Sequence, residues 1–246
     1  MPLTASPADQ ALLLDLQKLD TTLQQLAHKA RNLPEIAVLA TIDGDAARLR
    51  SRLASEQGAF EDAEVELKRI ESDVSVVEAR VARDTQRLAS TSSVKDVQAL
   101  EGELAALARR TSDLEDLQMD VMERVESLGA VARLTQSELD QIDGRRADAT
   151  TSRDESLAGL ERERAQVAAD RQTLAARVPG DLLALYERQR ERYGVGASLL
   201  RGGVSSASGV TLTGSDLAAV RSASAYDVLL CPDSNAVLVR TQESGI

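Results

Sequence analysis

Apolar or small residues recur at steps of three and four along most of this chain. One series runs through Leu49, Leu53, Phe60, Ala63, Leu67, Ile70, Val74, Val77, Val81 and Leu88, skipping polar places at Glu56 and Asp84. The rhythm stops at Ser90-Thr91-Ser92-Ser93 and restarts through Val97, Leu100, Leu104, Leu107, Leu114, Val121, Val125, Leu128, Leu139 and Ile142. A period near 3.5 held over so many turns keeps one apolar stripe facing a partner helix, which is a coiled-coil seam. The pattern predicts two long helices that reverse at residues 90–93. A reversal symmetric about Ser92 sets Pro34 against position 150, with a third helix of about 85 residues (about 125 Å) and a second of about 50.

Before this pair, Ser6 can cap a first helix with Pro7 at its first position and Asp9 in its first turn. The seam of that helix is read as Leu12, Leu16, Leu19, Leu23, Leu26, Ala30 and Leu33, ending at a break near Pro34. Ser93 and Asp96 restart the chain like a capping box. In the second half of the third helix the seam shifts to Leu157, Leu160, Val167, Leu174 and Val178, a stutter placed where the partner changes from helix two to helix one. After Pro179 comes a short helix, Asp181 to Arg192, closed by Gly194 and Gly196, which read as a flexible junction. Residues 201–215 are rich in Gly, Ser, Val and Thr. Thr213 can cap a small helix through Arg221, and 228–240 reads as two short strands around a turn. The expected division is a hairpin over 1–178 and, over 179–246, a short helix plus a small appended domain.

Composition narrows the function classes. Aromatic residues are 2% of the 246, and the charged 28% read as solvated helix flanks with the two signs interspersed. A net charge of −11 argues against broad electrostatic contact with nucleic acid or anionic membrane. With one cysteine, Cys231, no internal disulfide forms, which fits a reducing compartment. The first residues lack a basic-then-apolar leader, and no apolar run approaches the roughly 20 residues that span a bilayer, so the chain reads as cytoplasmic with no membrane contact.

Several stretches together resemble a known family: bacterial coiled-coil proteins ending in a four-cysteine zinc ribbon, in their actinobacterial form, commonly described as candidate nucleic-acid-binding proteins. They are Leu19-Asp20 to His28-Lys29, Leu33-Pro34-Glu35, Ser93 to Glu101, Ser112 to Asp116, Val121 to Arg124, Pro179 to Glu187, Gly194 to Ala197, Leu212 to Leu217 and Val237 to Gly245. The resemblance implies a mainly α fold, a long antiparallel coiled-coil hairpin with a small α+β zinc-ribbon-like domain. It also implies partners in transcription or RNA regulation. The ribbon's four ligand places fall at Ser205, Ser208, Cys231 and Ser234. Three neutral hydroxyls cannot replace thiolates around zinc, so the ribbon reads as degenerate, with no zinc or other cofactor expected.

The remaining chemistry is sparse. His28 lies off its helix seam and reads as solvent-facing or side-packing, and Cys231 as a leftover ligand. Gly194-Val-Gly-Ala and Arg201-Gly-Gly lack the lysine and Ser/Thr of a phosphate loop. Arg188, Arg190, Arg192 and Arg201, with Tyr186 and Tyr193 nearby, form the best basic cluster, although Glu187 and Glu191 favour ion pairs along the helix. Lys95, Gln98 and Glu101, just past the turn, are the candidate partner contacts. The expectation is a non-enzymatic adaptor binding a protein partner, with direct RNA or DNA binding through the C-terminal region as the alternative and association between hairpins left open.

Overall fold

The computed structural model describes residues 3–245. The elements are α1 (Pro7–Arg31), α2 (Pro34–Ser90), α3 (Val94–Ala175), α4 (Gly180–Tyr193), β1 (Ala197–Arg201), β2 (Val204–Ser205), α5 (Gly214–Ser222), β3 (Leu229–Leu230) and β4 (Val237–Val239), followed by a single 3₁₀ turn. The fold is mainly helical: a long helical-hairpin coiled coil with a small strand-containing region at its C-terminal side. Its contacts fall into two compact units, one made of residues 35–151 and the other of the residues up to Pro34 together with those from Ser152 onward. The packing therefore groups the chain differently from a division at residue 178.

In the first of these units α2 and α3 run antiparallel. Their seam buries Ala46, Leu53, Leu139 and Ile142 in one cluster and Ile70, Leu114 and Val121 in another. Thr91, Ser92 and Ser93 make the turn, and the Ser93 hydroxyl accepts from the Asp96 amide at 3.4 Å. Away from the turn the ion pairs are displaced from a symmetric reversal by roughly one and a half helical turns, whereas nearer the turn Arg80 meets Glu103 beside its symmetric position. Asp43 pairs with Arg146 and Glu66 with Arg124, where symmetry would oppose them to Gln141 and Gln118. The only phenylalanine shares the offset. Phe60 packs over Gly129, where an added β-carbon would come within 3.0 Å of the ring, so the missing side chain is the hole that receives the knob.

The polar places in the seam are also built in. Asp84 is buried and faces Arg80 and Arg87 of its own helix at 3.8 and 3.4 Å. Glu56 accepts from Arg52 at 2.7 Å. The buried Thr135 hydroxyl has no partner in hydrogen-bond geometry, yet it lies close enough to Glu56 to lead Arg52 in holding that carboxyl below the usual range. Polar residues inside a seam fix register at some cost in stability.

The second unit packs α1, the last turns of α3, and α4 against a four-stranded sheet of order β2-β1-β4-β3. β1 and β4 are parallel, and the outer pairs are antiparallel. The β3–β4 hairpin occupies the expected 228–240 stretch, whereas β1, just after the Gly194–Gly196 junction, and β2, inside the Gly/Ser-rich 201–215 segment, form where the sequence pattern predicts no strand. Residues ahead of α1 join this unit too: Thr4 bridges Asp227, and Gln10 Nε2 at the start of α1 donates to the Ala225 carbonyl. The α1 seam needs correction, because Gln10, Leu13 and Asp20 are buried along with Leu16 and Leu26. α1 is covered on a second face by α4 and the sheet, so its buried stripe is wider than one coiled-coil row.

Candidate interaction sites

Gln17 and Asp20 stand one turn apart on α1, on the face that also buries Leu13 and Leu16. Asp20 is only 3% exposed. Arg171 of α3 grips it with two nitrogens, Nε donating to Oδ1 at 2.6 Å and Nη2 to Oδ2 at 3.1 Å. The Tyr186 hydroxyl of α4 donates to Oδ2 at 2.6 Å, and Arg190 Nε lies 3.6 Å away. Glu187 accepts from both arginines, at 2.6 Å from Arg171 and 3.0 Å from Arg190. Gln17 Oε1 accepts from the Gly196 amide at 2.7 Å, tying β1 to the same point. Burial first, then the hydrogen bond to Asp20, pushes the Tyr186 hydroxyl far above the usual phenol range; its partner Asp20 likewise holds Arg171 firmly protonated.

This node joins α1, α3, α4 and β1, and its donors and acceptors are spent on one another. It is a lock between these four elements. Arg190, one of the candidate nucleic-acid contacts, makes the ion pair along the helix that the interleaved Glu187 favours, and lies 3.6 Å from Asp20. The 194–196 junction is fixed rather than flexible: Gly194 caps α4 at φ 82°, and Gly196 lies against the Tyr186 ring.

The four ligand places implied by the family resemblance lie on two turns with the same hydrogen bonds. In one, the Gly209 amide donates to the Ser205 carbonyl, the Ser205 amide to the Val210 carbonyl, and the Val210 amide to the Ser208 hydroxyl. In the other, Asn235, Cys231 and Ala236 repeat this pattern with Cys231 and Ser234. Gly209 and Asn235 hold the matching left-handed positions, φ 69° and 56°. The turns bring Ser205 and Cys231 within 3.4 Å, both almost wholly buried, and Ser205 is 2.7 Å from the Ser198 hydroxyl.

Burial alone would raise the Cys231 thiol. Hydrogen bonds with the Ser205 and Ser234 hydroxyls and with the backbone of Ser234 and Asp233 outweigh it and hold the thiol below its usual range. Its neighbours Leu200, Leu212, Val220 and Leu238 make the thiol a member of a small apolar core. A tetrahedral zinc site needs anionic or imidazole donors, and one thiol among hydroxyls does not supply them. Among the described residues no three His, Cys, Asp or Glu side chains come together as a metal group. Metal analysis of the purified protein is expected to find far less than one zinc per chain; stoichiometric zinc would overturn this reading of the serines.

The other arginines are dispersed in role. Arg240 donates to the carbonyls of Val220, Ala223, Ser224 and Asp227, closing the end of α5. Arg201 sits 3.6 Å from Glu243. Arg188 is exposed, and the Arg192 guanidinium stands 5.3 Å from the Tyr193 ring centre. His28 is exposed beside Asn32. At the α2–α3 turn, Lys95, Gln98 and Glu101 are exposed and have no side-chain partner among the described residues, while Glu103, just beyond, pairs with Arg80. Sequence reasoning missed Gln17, Asp20 and Arg171 as a unit. The available signal was two polar residues in line with Leu13 and Leu16 at helical spacing.

A family model described as the CT398-like coiled coil hairpin domain matches residues 16–194. The chain is 34% identical over 239 residues to the uncharacterized Mycobacterium tuberculosis (strain ATCC 25618 / H37Rv) protein Rv2229c, covering 97% of this chain and 98% of that one. It is 27% identical over 191 residues to the uncharacterized Mycobacterium leprae (strain TN) protein ML1638, covering 76% and 81%. A solved structure from Mycobacterium smegmatis superposes with a TM-score of 0.89 at 31% identity, covering 97% of this chain and 100% of that one. The structure of CT398 from Chlamydia trachomatis superposes at 0.67 and 16% identity, covering 95% and 98%, a likeness of fold alone. No helix among the described residues is long and apolar enough to cross a membrane.

Proposed function

This chain belongs to the CT398-like coiled coil hairpin domain family, and on that premise we propose that it is a non-enzymatic cytoplasmic adaptor, binding a protein partner of transcription or RNA regulation at the α2–α3 turn. The observation that carries the reading is the contrast between the two clusters of polar side chains. Those around Asp20 satisfy one another inside the protein. Lys95, Gln98 and Glu101 follow a three-residue turn, stand in solvent beside the exposed Val94, and have no side-chain partner among the described residues. Side chains not bonded within the protein are free to form the polar rim of a contact around an apolar neighbour.

The test is recovery of partners from the native cell with tagged protein, comparing wild type with a Lys95→Ala/Gln98→Ala variant. Truncating two contact residues is expected to cost about 1–2 kcal/mol of binding, and so to reduce recovery roughly tenfold, with no change in Tm. Undiminished recovery would remove the turn as the contact. Direct RNA or DNA binding is a second reading, supported by the exposed Arg188 and by Arg192 over Tyr193. Nuclease treatment during recovery separates the two, since it abolishes capture that runs through nucleic acid.

A further inference from the structure

The charge is not interspersed evenly after all. Residues 60–74 of α2 carry six acidic and two basic side chains, and residues 113–126 of α3 carry six acidic and one basic. These two facing stretches therefore hold nine of the chain's eleven net negative charges. Between them runs a groove floored by Leu67, Met119, Met122 and Val125. Met119 is 63% exposed and Met122 52%, and they are the only methionines after the first residue.

Helical spacing sets glutamates along both borders of the floor. Glu64 and Glu71 lie three before and four after Leu67. Glu115 and Glu123 lie four on either side of Met119, and Glu126 lies four after Met122. None of these five makes an ion pair among the described residues, in contrast to Glu66, which is held by Arg124. A solvated apolar strip bordered by unpaired carboxylates is costly to the free protein on both counts: exposed apolar area and like-charge repulsion.

We propose that this face of the α2–α3 pair docks an amphipathic helix of a partner protein, one whose apolar row is flanked by Lys and Arg. A groove between two antiparallel helices accepts a third along its length, and methionines adapt their rotamers to such a row. The carboxylates select the sign of the flanks. They also disfavour a second copy of this chain on the same face, since an isologous contact sets five carboxylates against five. Phosphate backbones are repelled in the same way. The inference rests on the adaptor reading but uses a surface separate from Lys95 and Gln98.

The test uses the full chain and two synthetic, fluorescently labelled helical peptides of about five turns. Both carry Leu at i, i+3, i+4 and i+7 positions, one with Lys and Arg flanks and one with Glu flanks. Fluorescence anisotropy at physiological ionic strength is expected to show the basic peptide binding at least tenfold more tightly. Met119→Ser/Met122→Ser, at exposed positions, is expected to weaken it about tenfold with no loss of helicity, and Glu115→Lys/Glu123→Lys by as much or more. Equal binding of both peptides, no binding up to about 100 µM, or binding untouched by these variants overturns the proposal, as does sedimentation showing that the face is closed by a second copy. Partner recovery that still depends on Lys95 and Gln98 while the peptides fail would sink this inference and leave the adaptor reading standing.

Discussion

Replacing Asp20 by alanine is expected to destabilise the unit that holds the sheet by about 3–5 kcal/mol, the cost of removing one partner from a buried ion pair. The carboxylate is 3% exposed, and three donors from two other helices converge on it. Its loss leaves the Arg171 guanidinium, itself 20% exposed, with only Glu187, and the Tyr186 hydroxyl with only the longer bond it donates to Gln17 Oε1 at 3.3 Å. Asp20→Asn keeps the shape and removes the charge, so it should fall between wild type and alanine. Tyr186→Phe should cost less than either, because it deletes one donor and leaves the ion pair. Denaturation followed by tyrosine fluorescence reads the right region, since Tyr186, Tyr193 and Tyr226 all belong to this unit and the chain has no tryptophan. That choice matters because two compact units need not unfold in one step. A loss below about 1 kcal/mol for Asp20→Ala would show that the node is no lock.

The hairpin was legible because its code is repetitive: each seam residue is one vote for the same period, and a skipped place such as Asp84 changes little. The helix starts at Ser6 and Thr213 were legible because a cap is local chemistry, one hydroxyl and one amide three residues on. The register was not, since it shows in single contacts, Phe60 with Gly129 and Glu56 with Thr135, that periodicity cannot weigh. The Asp20 node was hidden for another reason. A polar residue on a helix reads as solvated unless a second covering element is known, and that cover comes from α4 and the sheet more than 150 residues away in sequence. Family-like stretches did hold its parts, Asp20 in one and Tyr186 with Glu187 in another, without saying that they meet. The acidic face escaped because chain-wide composition dilutes it; the concentration emerges when α2 and α3 are laid side by side.

Gly196→Ala is the second large effect, and it shows why the Gly194-Val-Gly-Ala197 motif needs its second glycine. A β-carbon there would fall 2.5–2.8 Å from three ring carbons of Tyr186, well inside contact distance. The ring cannot easily retreat, because it is wholly buried and its hydroxyl is tethered to Asp20. The backbone is no freer, since the Gly196 amide donates to Gln17 and its carbonyl accepts from the Val237 amide. Overpacking of this kind costs about 1–3 kcal/mol, and a ring held at both ends puts this site at the upper figure. Tyr186→Leu alone should also destabilise, through the cavity and the lost donor. In that background, however, Gly196→Ala should cost less than about 1 kcal/mol, a coupling of roughly 2 kcal/mol between the two positions. Simple additivity would mean that the glycine serves the turn and not the ring. The coupling, if found, makes the close approach of β1 to α4 the step that fixes the sheet against the helices.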